Sequence, residues 1–463
     1  MKYKGWILLF FVTSIGFSQN VVITQSATNV SLYHTEVFLL NDADNRLVFV
    51  QKNKKDIHIT LYGVNFEPGD QFVLAEVLDA NQQMLLSSVY DNKLAILTGN
   101  SSRKKLTALH IDLDTKKVLS KTELPKLRGE GLLQTYFYEG SHYILSVSLD
   151  SEVLFFQKIG PEGVIKKETF DLSSYTFKTK TSKNESLKYL FNYAAPDLQK
   201  INDTFPYTLL QTSSKCKSYQ LDDRIQITLD HDVSKTMILE IDLPEMTFEM
   251  VEIEKPLLTK GTSGNSNSLL HGGRMYQLIM DTNEMILEVK ESATLQSLYT
   301  YRVGADEEIV IKNTPIILEG AAYASKRKLG KTQQFLRKVS NSNPAISVHQ
   351  LEDQLQVVLG GSVQMASGIS DFGGTMLLTH FSSIPQILST NENARTTYIQ
   401  CLFDEDFKHL DGSIVQTVFD KIERYHTESD LKKETLETIV DFNESYIYVV
   451  LQDDEYRFVK FDK

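Results

Sequence analysis

Asp222, Asp223, Asp230 and Asp232, with His231 between the last two, form the densest polar cluster inside a repeat unit of this 463-residue chain. Paired carboxylates can divide acid and base roles when their surroundings push their pKa values apart. Two turns flanking one strand would give the same letters with no catalysis. A second polar group, His271-Gly-Gly-Arg274, sits at a hairpin turn between strand-like runs. Its glycines suit the turn itself. Asp223, His231, His271 and Arg274 are therefore the candidate ligand-contacting residues. No residue qualifies as catalytic or metal-ligating from a local motif.

Other spacings fail on their chemistry. Gly330-Lys331-Thr332 resembles the end of a phosphate loop, but the glycine needed five residues earlier is Ser325, and the stretch does not read as set between a strand and a core helix. The basic run Ser325-Lys-Arg-Lys-Leu-Gly-Lys331 reads instead as a solvated loop. Gly261-Thr-Ser-Gly-Asn265 and Gly368-Ile-Ser-Asp-Phe-Gly373 surround serines with glycines, yet neither is a nucleophile elbow. The ten His form no His-x-x-x-His or His-Glu-x-x-His pair, so no zinc site is predicted. Asn41-Asp-Ala-Asp-Asn45 and Asp404-Glu-Asp406 lack the twelve-residue ligand alternation of a calcium loop and read as acidic turns. No cofactor is predicted. Channel calcium, with ligands distant in sequence, has no motif behind it.

The elements that must position these residues are short strands. Leu109, Ile111 and Leu113 alternate with His110, Asp112 and Asp114, so one strand face is buried. The hairpin Leu106–Leu124 recurs at Val153–Ile165 and Met237–Glu249, with apolar residues at matching positions: Leu113/Val118, Ile159/Val164 and Leu243/Phe248. Weaker copies lie at Ile57–Val77, Met285–Tyr301 and Tyr398–Leu410. The anchors Leu61, Leu113 and Ile159 are 52 and 46 residues apart. Such periods, with another strand pair before each clear hairpin, resemble the β-propeller superfamily, particularly exported bacterial propellers. The resemblance is architectural and spans most of residues 30–463. It implies an all-β toroid of about seven four-stranded blades (six or eight being the alternatives) around a central channel. Asp223, His231, His271 and Arg274 would then stand at the channel mouth. The last hairpin lacks an outer strand, and the β-branched run Asn20–Thr24 is predicted to supply it and close the ring.

Four segments break the rhythm: 173–210, 304–344, 364–396 and 412–433. The first should hold a short helix through Asn184–Phe191. The last is the amphipathic helix near 413–433, where Ile414, Val418, Phe419, Ile422 and Tyr425 make one apolar stripe, capped by Asp411 or Ser413. The stripe is expected to pack on a blade. The insertions either build a binding surface or cover edges and plug the channel.

The N-terminus carries Lys2 and Lys4, an apolar run Trp6–Phe17, and Gly16 and Ser18 at positions −3 and −1 of a cut. That is the layout of a signal peptide over residues 1–18. The mature chain, 19–463, is expected as one propeller domain in the periplasm or outside the cell, with no membrane span. The formal charge of −12 becomes −14 without Lys2 and Lys4, which disfavours nucleic acid. Five Asn-x-Ser/Thr sites, at Asn29, Asn100, Asn184, Asn202 and Asn443, matter only in a glycosylating source. Cys216 and Cys401, the two cysteines, read as one bridge or two buried thiols. The expectation is a monomeric, non-enzymatic propeller that binds a protein, peptide or glycan at one face. The alternative is a propeller enzyme acting on glycans or small esters or lactones at the central channel.

Overall fold

A computed structural model describes residues 20–27, 35–181, 183–192, 198–202, 207–259, 264–320, 323–351, 353–364, 394–429, 431 and 436–463. The signal region, Asn29 and Met365–Gly374 lie outside them, as does most of the glycine-serine run before Asn265. The described strands form seven sheets of four or five strands each. Most are simple meanders. Blade one, for example, is Thr35–Asn41, Leu47–Asn53, Asp56–Tyr62 and Pro68–Leu74, from inner edge to outer.

Burial follows position within a blade. The second strand of blade three, Ser141–Ser148, is buried along its whole length, because neighbouring blades cover both faces. The outer strand of blade two, Lys117–Glu123, alternates between exposed and half-buried residues. Aromatic rings join blades. Phe170 of blade three meets Phe248 of blade four at 4.8 Å. Phe49 of blade one meets Tyr456 and Phe458 of blade seven at 5.0 and 5.3 Å.

The hairpins at Leu106–Leu124, Val153–Ile165 and Met237–Glu249 are the outer strand pairs of blades two, three and four. Asn20–Ser26 pairs antiparallel with Glu455–Asp462 and forms the outer strand of blade seven. The ring is therefore closed by the two ends of the chain. The protein is a seven-bladed β-propeller.

Blade six departs from the expected plan. Its inner strands are Asn343–Leu351, Gln354–Gln364 and Ala394–Asp404, but its outer strands, Ile316–Gly320 and Tyr323–Leu329, come earlier in the chain. Part of segment 304–344 is thus blade rather than insertion, and Tyr398–Leu410 is not an outer hairpin. The basic run is mostly strand, and Gly330-Lys331 does lie between that strand and the helix Thr332–Ser340. The amides at this helix start are engaged: Gln334 Oε1 accepts from Gly330 N at 3.1 Å and Lys331 N at 3.3 Å.

The predicted short helix is Leu187–Leu190. The amphipathic helix is shorter than its apolar stripe suggested, Val418–Glu428. Its cap is Thr417, not Asp411 or Ser413: Thr417 Oγ1 accepts from Asp420 N at 3.2 Å, and Asp420 Oδ2 accepts from Thr417 N at 2.6 Å. Val418, Ile422 and Tyr425 pack against Tyr446, Tyr448 and Phe461 of blade seven. Ile414 lies ahead of the helix. Among the described residues no helix is long and apolar enough to cross a membrane.

Candidate functional site

In an antiparallel meander the start of the inner strand, the turn between strands two and three, and the end of the outer strand share one face. Lys215 immediately precedes the inner strand of blade four, Cys216–Leu221. Asp230–Ser234 joins that blade's second strand, Arg224–Leu229, to its third, Lys235–Asp242. Lys255 follows its outer strand, Thr247–Glu254. The inner strands of blades five and six begin at Asn265 and Asn343. All these residues therefore gather on one face, where three blades meet.

The floor is a buried ionic cluster. Asp230 Oδ2 lies 3.2 Å from Lys217 Nζ and accepts from Ser268 N and Oγ at 3.0 and 2.7 Å. Its Oδ1 lies 3.3 Å from Lys255 Nζ and accepts from Thr236 Oγ1 at 2.8 Å. Lys217 also donates to Asn267 Oδ1 at 2.6 Å and Ser214 O at 2.8 Å. Lys255 donates to Asp232 O at 2.7 Å and Ser266 Oγ at 2.9 Å. Burial alone would raise the Asp230 pKa, but Lys217 and Lys255 hold its carboxyl well below the usual carboxylate range. Burial lowers the Lys255 amine, with Asp230 opposing it. Asp232 serves the turn, accepting from Ser234 N and Oγ at 2.8 and 2.7 Å.

Above this floor opens a cleft of about 220 Å³, lined by Thr179, Lys180, Lys215, Asp230, His231, Val233, Asn265, Ser266 and Asn343. Lys180 arrives from the hairpin bridged at Lys178 and Asn184. Lys215 donates to Asn265 Oδ1 at 3.0 Å and to Ser266 O. Burial, and then Lys255, pushes its amine down to about 7. Burial, then Lys215, pushes the His231 imidazole down to about 4, so it is neutral at pH 7. The arrangement surrounds a small space with N–H and O–H donors and excess positive charge. Both oxygens of Asp230 are occupied, so it is not free to take a proton from a ligand.

Of the four sequence candidates, the structure places only His231 in the cleft. Asp223 and Arg274 sit at turns between strands one and two of their blades, on the opposite face. Asp223 pairs with Arg224 at 3.3 Å in the open. Arg274 lies over the Phe407 ring at 4.9 Å and donates to Glu405 O at 3.1 Å. His271 ends the inner strand of blade five, beside Tyr207 and Ser347. The aspartate cluster is likewise divided. The six-residue strand Arg224–Leu229 sets Asp222 and Asp223 about 20 Å from Asp230 and Asp232. The acidic turns behave as expected: Asp42 Oδ1 accepts from Asp44 N and Arg46 N, and Asp404 Oδ1 from Asp406 N and Lys408 N. No group of three or more His, Cys, Asp or Glu that could hold a metal occurs among the described residues. Cys216 and Cys401 are separate buried thiols.

The described parts of the insertion before blade four lie on the inner side of the blades. Leu198–Ile201 pairs in parallel with Cys216–Leu221 on its inner, axis-facing edge. From blade three, Gln134 Nε2 donates to Leu198 O at 3.4 Å. The helix Leu209–Thr212, with a Thr208–Gln211 capping box, packs on blade six. Asn267 ties this segment down: its Nδ2 donates to Thr212 O and Pro344 O at 3.1 and 2.7 Å. The same insertion that supplies Lys180 to the cleft thus also extends the inner edge of blade four and reaches blades three and six.

No protein-family model matches the chain, and no curated protein matches it in sequence. Among solved structures it is similar to the β-propeller domain of the Trilobed protease from Pyrococcus furiosus: 9% identity, TM-score 0.35, 92% of this chain and 96% of that one. A member of the DUF4221 family from Bacteroides vulgatus aligns at 12% identity with TM-score 0.32, over 82% of this chain and 92% of that one. The blade topology and the closing strand, rather than these alignments, establish the fold.

Proposed function

We propose that the protein is an exported binding propeller whose protein, peptide or glycan ligand presents one anionic group, a carboxylate, phosphate or sulfate, to the cleft at Lys180, beside Lys215. The observation that carries this reading is the imbalance around the cleft. Lys180, Asn343, Thr179 and Ser266 border it with N–H and O–H donors above a floor that holds two lysines, while the one carboxylate among the described lining residues, Asp230, is saturated from beneath. Charge-assisted hydrogen bonds to such an anion are the strong ones. Export rests on the signal-like residues 1–18. A hydrolase working through Asp230 gains no support, because two lysines hold that carboxyl ionised and bonded.

The test is calorimetric titration of the mature protein, at low ionic strength, with inorganic phosphate, sulfate, acetate and glucuronate. At least one should bind, and Lys180→Met should weaken it about 10-fold, the loss of one charge-assisted bond. If none of the four binds, or Lys180→Met binds as the parent does, the reading is wrong.

A further inference from the structure

The Lys215 amine has two acceptors, Asn265 Oδ1 and Ser266 O. A neutral amine has two N–H groups. Both are used, and the lone pair is left pointing away from those partners. A third proton has no carbonyl or carboxylate to meet in the hydrogen bonds described for this residue. The surrounding charges act in the same direction. Lys180, Lys217 and Lys255 stand around Lys215, opposed by Asp230, while His231 is neutral. A lysine beside other cationic groups and partly out of water is the setting in which an amine becomes a nucleophile at neutral pH. Unlike Lys217 and Lys255, which are sealed in the floor, Lys215 borders the open cleft.

We infer that Lys215 is a nucleophilic amine that condenses with the carbonyl carbon of an anionic aldehyde or α-keto acid held in the cleft. The inference rests on the anion-binding reading, since the anionic group would seat the carbonyl beside the amine. The nitrogen lone pair forms the C–N bond as the carbonyl π pair moves to oxygen. The two amine protons leave with that oxygen as one water, and an imine remains. Nothing is oxidised or reduced.

The mature protein is incubated with glyoxylate, or with pyridoxal 5′-phosphate, near pH 7.5. The imine is reduced with borohydride, and the adducts are mapped by peptide mass spectrometry. Inorganic phosphate binding is measured on the same preparation. At sub-stoichiometric aldehyde, Lys215 should be labelled about 10- to 100-fold faster than exposed lysines such as Lys54. Inorganic phosphate should protect it, and Lys215→Arg should lose the adduct. Should phosphate bind while label spreads over lysines in proportion to exposure, the imine inference falls and anion binding stands. If phosphate does not bind and Lys215 is not preferred, both fall. The wild-type labelling pattern needs no variant to fold.

Discussion

Lys217 Nζ lies 3.2 Å from Asp230 Oδ2, with both side chains wholly removed from solvent. The second oxygen of the same carboxylate meets a second buried lysine, Lys255. Two cations sharing one anion is a state that only further hydrogen bonds make tolerable, and Ser268, Thr236, Asn267 and Ser214 supply them.

Removing the shared carboxylate should therefore be severe. Asp230→Asn leaves two buried amines without their counter-charge, and such broken pairs cost about 3–5 kcal/mol. Urea denaturation should show the midpoint falling accordingly. A loss under about 1 kcal/mol would mean that the cluster relaxes to water, and the floor of the cleft is not rigid.

Acid should destabilise the protein before its carboxylates titrate. His142 is fully buried, and neither ring nitrogen has a hydrogen-bond partner among the described residues. Burial, then the neighbouring His110, pushes its pKa from 6.5 down to about 3. His231 is pushed to about 4. Below 6.5 the unfolded chain binds protons that the folded chain refuses. Stability is therefore full above that value and is lost as pH falls toward 4 and 3. His142→Phe keeps the ring contacts with Phe137 and His110 and removes one titrating group. The variant's melting temperature should fall less steeply between about pH 6.5 and 4. An unchanged slope would assign the acid sensitivity elsewhere.

Regular blades were legible because their hairpins repeat one alternation, as Leu113/Val118 and Ile159/Val164 do. Blade six was not, since its outer strands precede its inner ones. A reader moving along the chain meets Ile316–Leu329 with no sheet yet present to receive it. The site was legible in part. His231 stood out through the density of acidic residues beside it, but a one-dimensional cluster ignores that Arg224–Leu229 carries its two halves to opposite faces. The lysines were invisible for a different reason. Lysine within a strand reads as surface, and Lys217 finds Asp230 13 residues away and Asn267 50 residues away. The usable signal was weak: Cys216-Lys-Ser-Tyr219 sets a lysine in an inner strand, where both faces are covered.

Asn267 should prove structural rather than ligand-binding. It is fully buried, and its amide joins the segment ahead of blade four to the inner strand of blade six. Asn267→Leu leaves the carbonyls of Thr212 and Pro344 and the Lys217 amine short of a partner. The expected cost is about 2–5 kcal/mol, from several buried polar groups at once. Hydrogen exchange should show faster opening at Leu209–Thr212, with blades one and two unaffected. Uniform change around the ring would contradict the local role.

The closing strand makes the strongest claim about the whole ring. Asn20–Ser26 is joined to Glu455–Asp462 by six residue pairs. It also reaches into blade one, where Gln25 Nε2 donates to Thr60 Oγ1 at 3.3 Å and Gln25 Oε1 accepts from the Tyr62 hydroxyl. Ile23 lies in the shared core with Phe49 and Phe458. Deleting residues 20–26 would expose the edge of Glu455–Asp462, an unpaired row of N–H and C=O groups beside apolar side chains. The truncated protein should melt well below the parent and aggregate in a concentration-dependent way, as light scattering would show. Adding the peptide 20–26 in excess should restore part of the lost melting temperature, because a strand that binds only the folded ring stabilises it by mass action. A truncated form that melts with the parent and stays monomeric would mean that blade packing alone holds the circle.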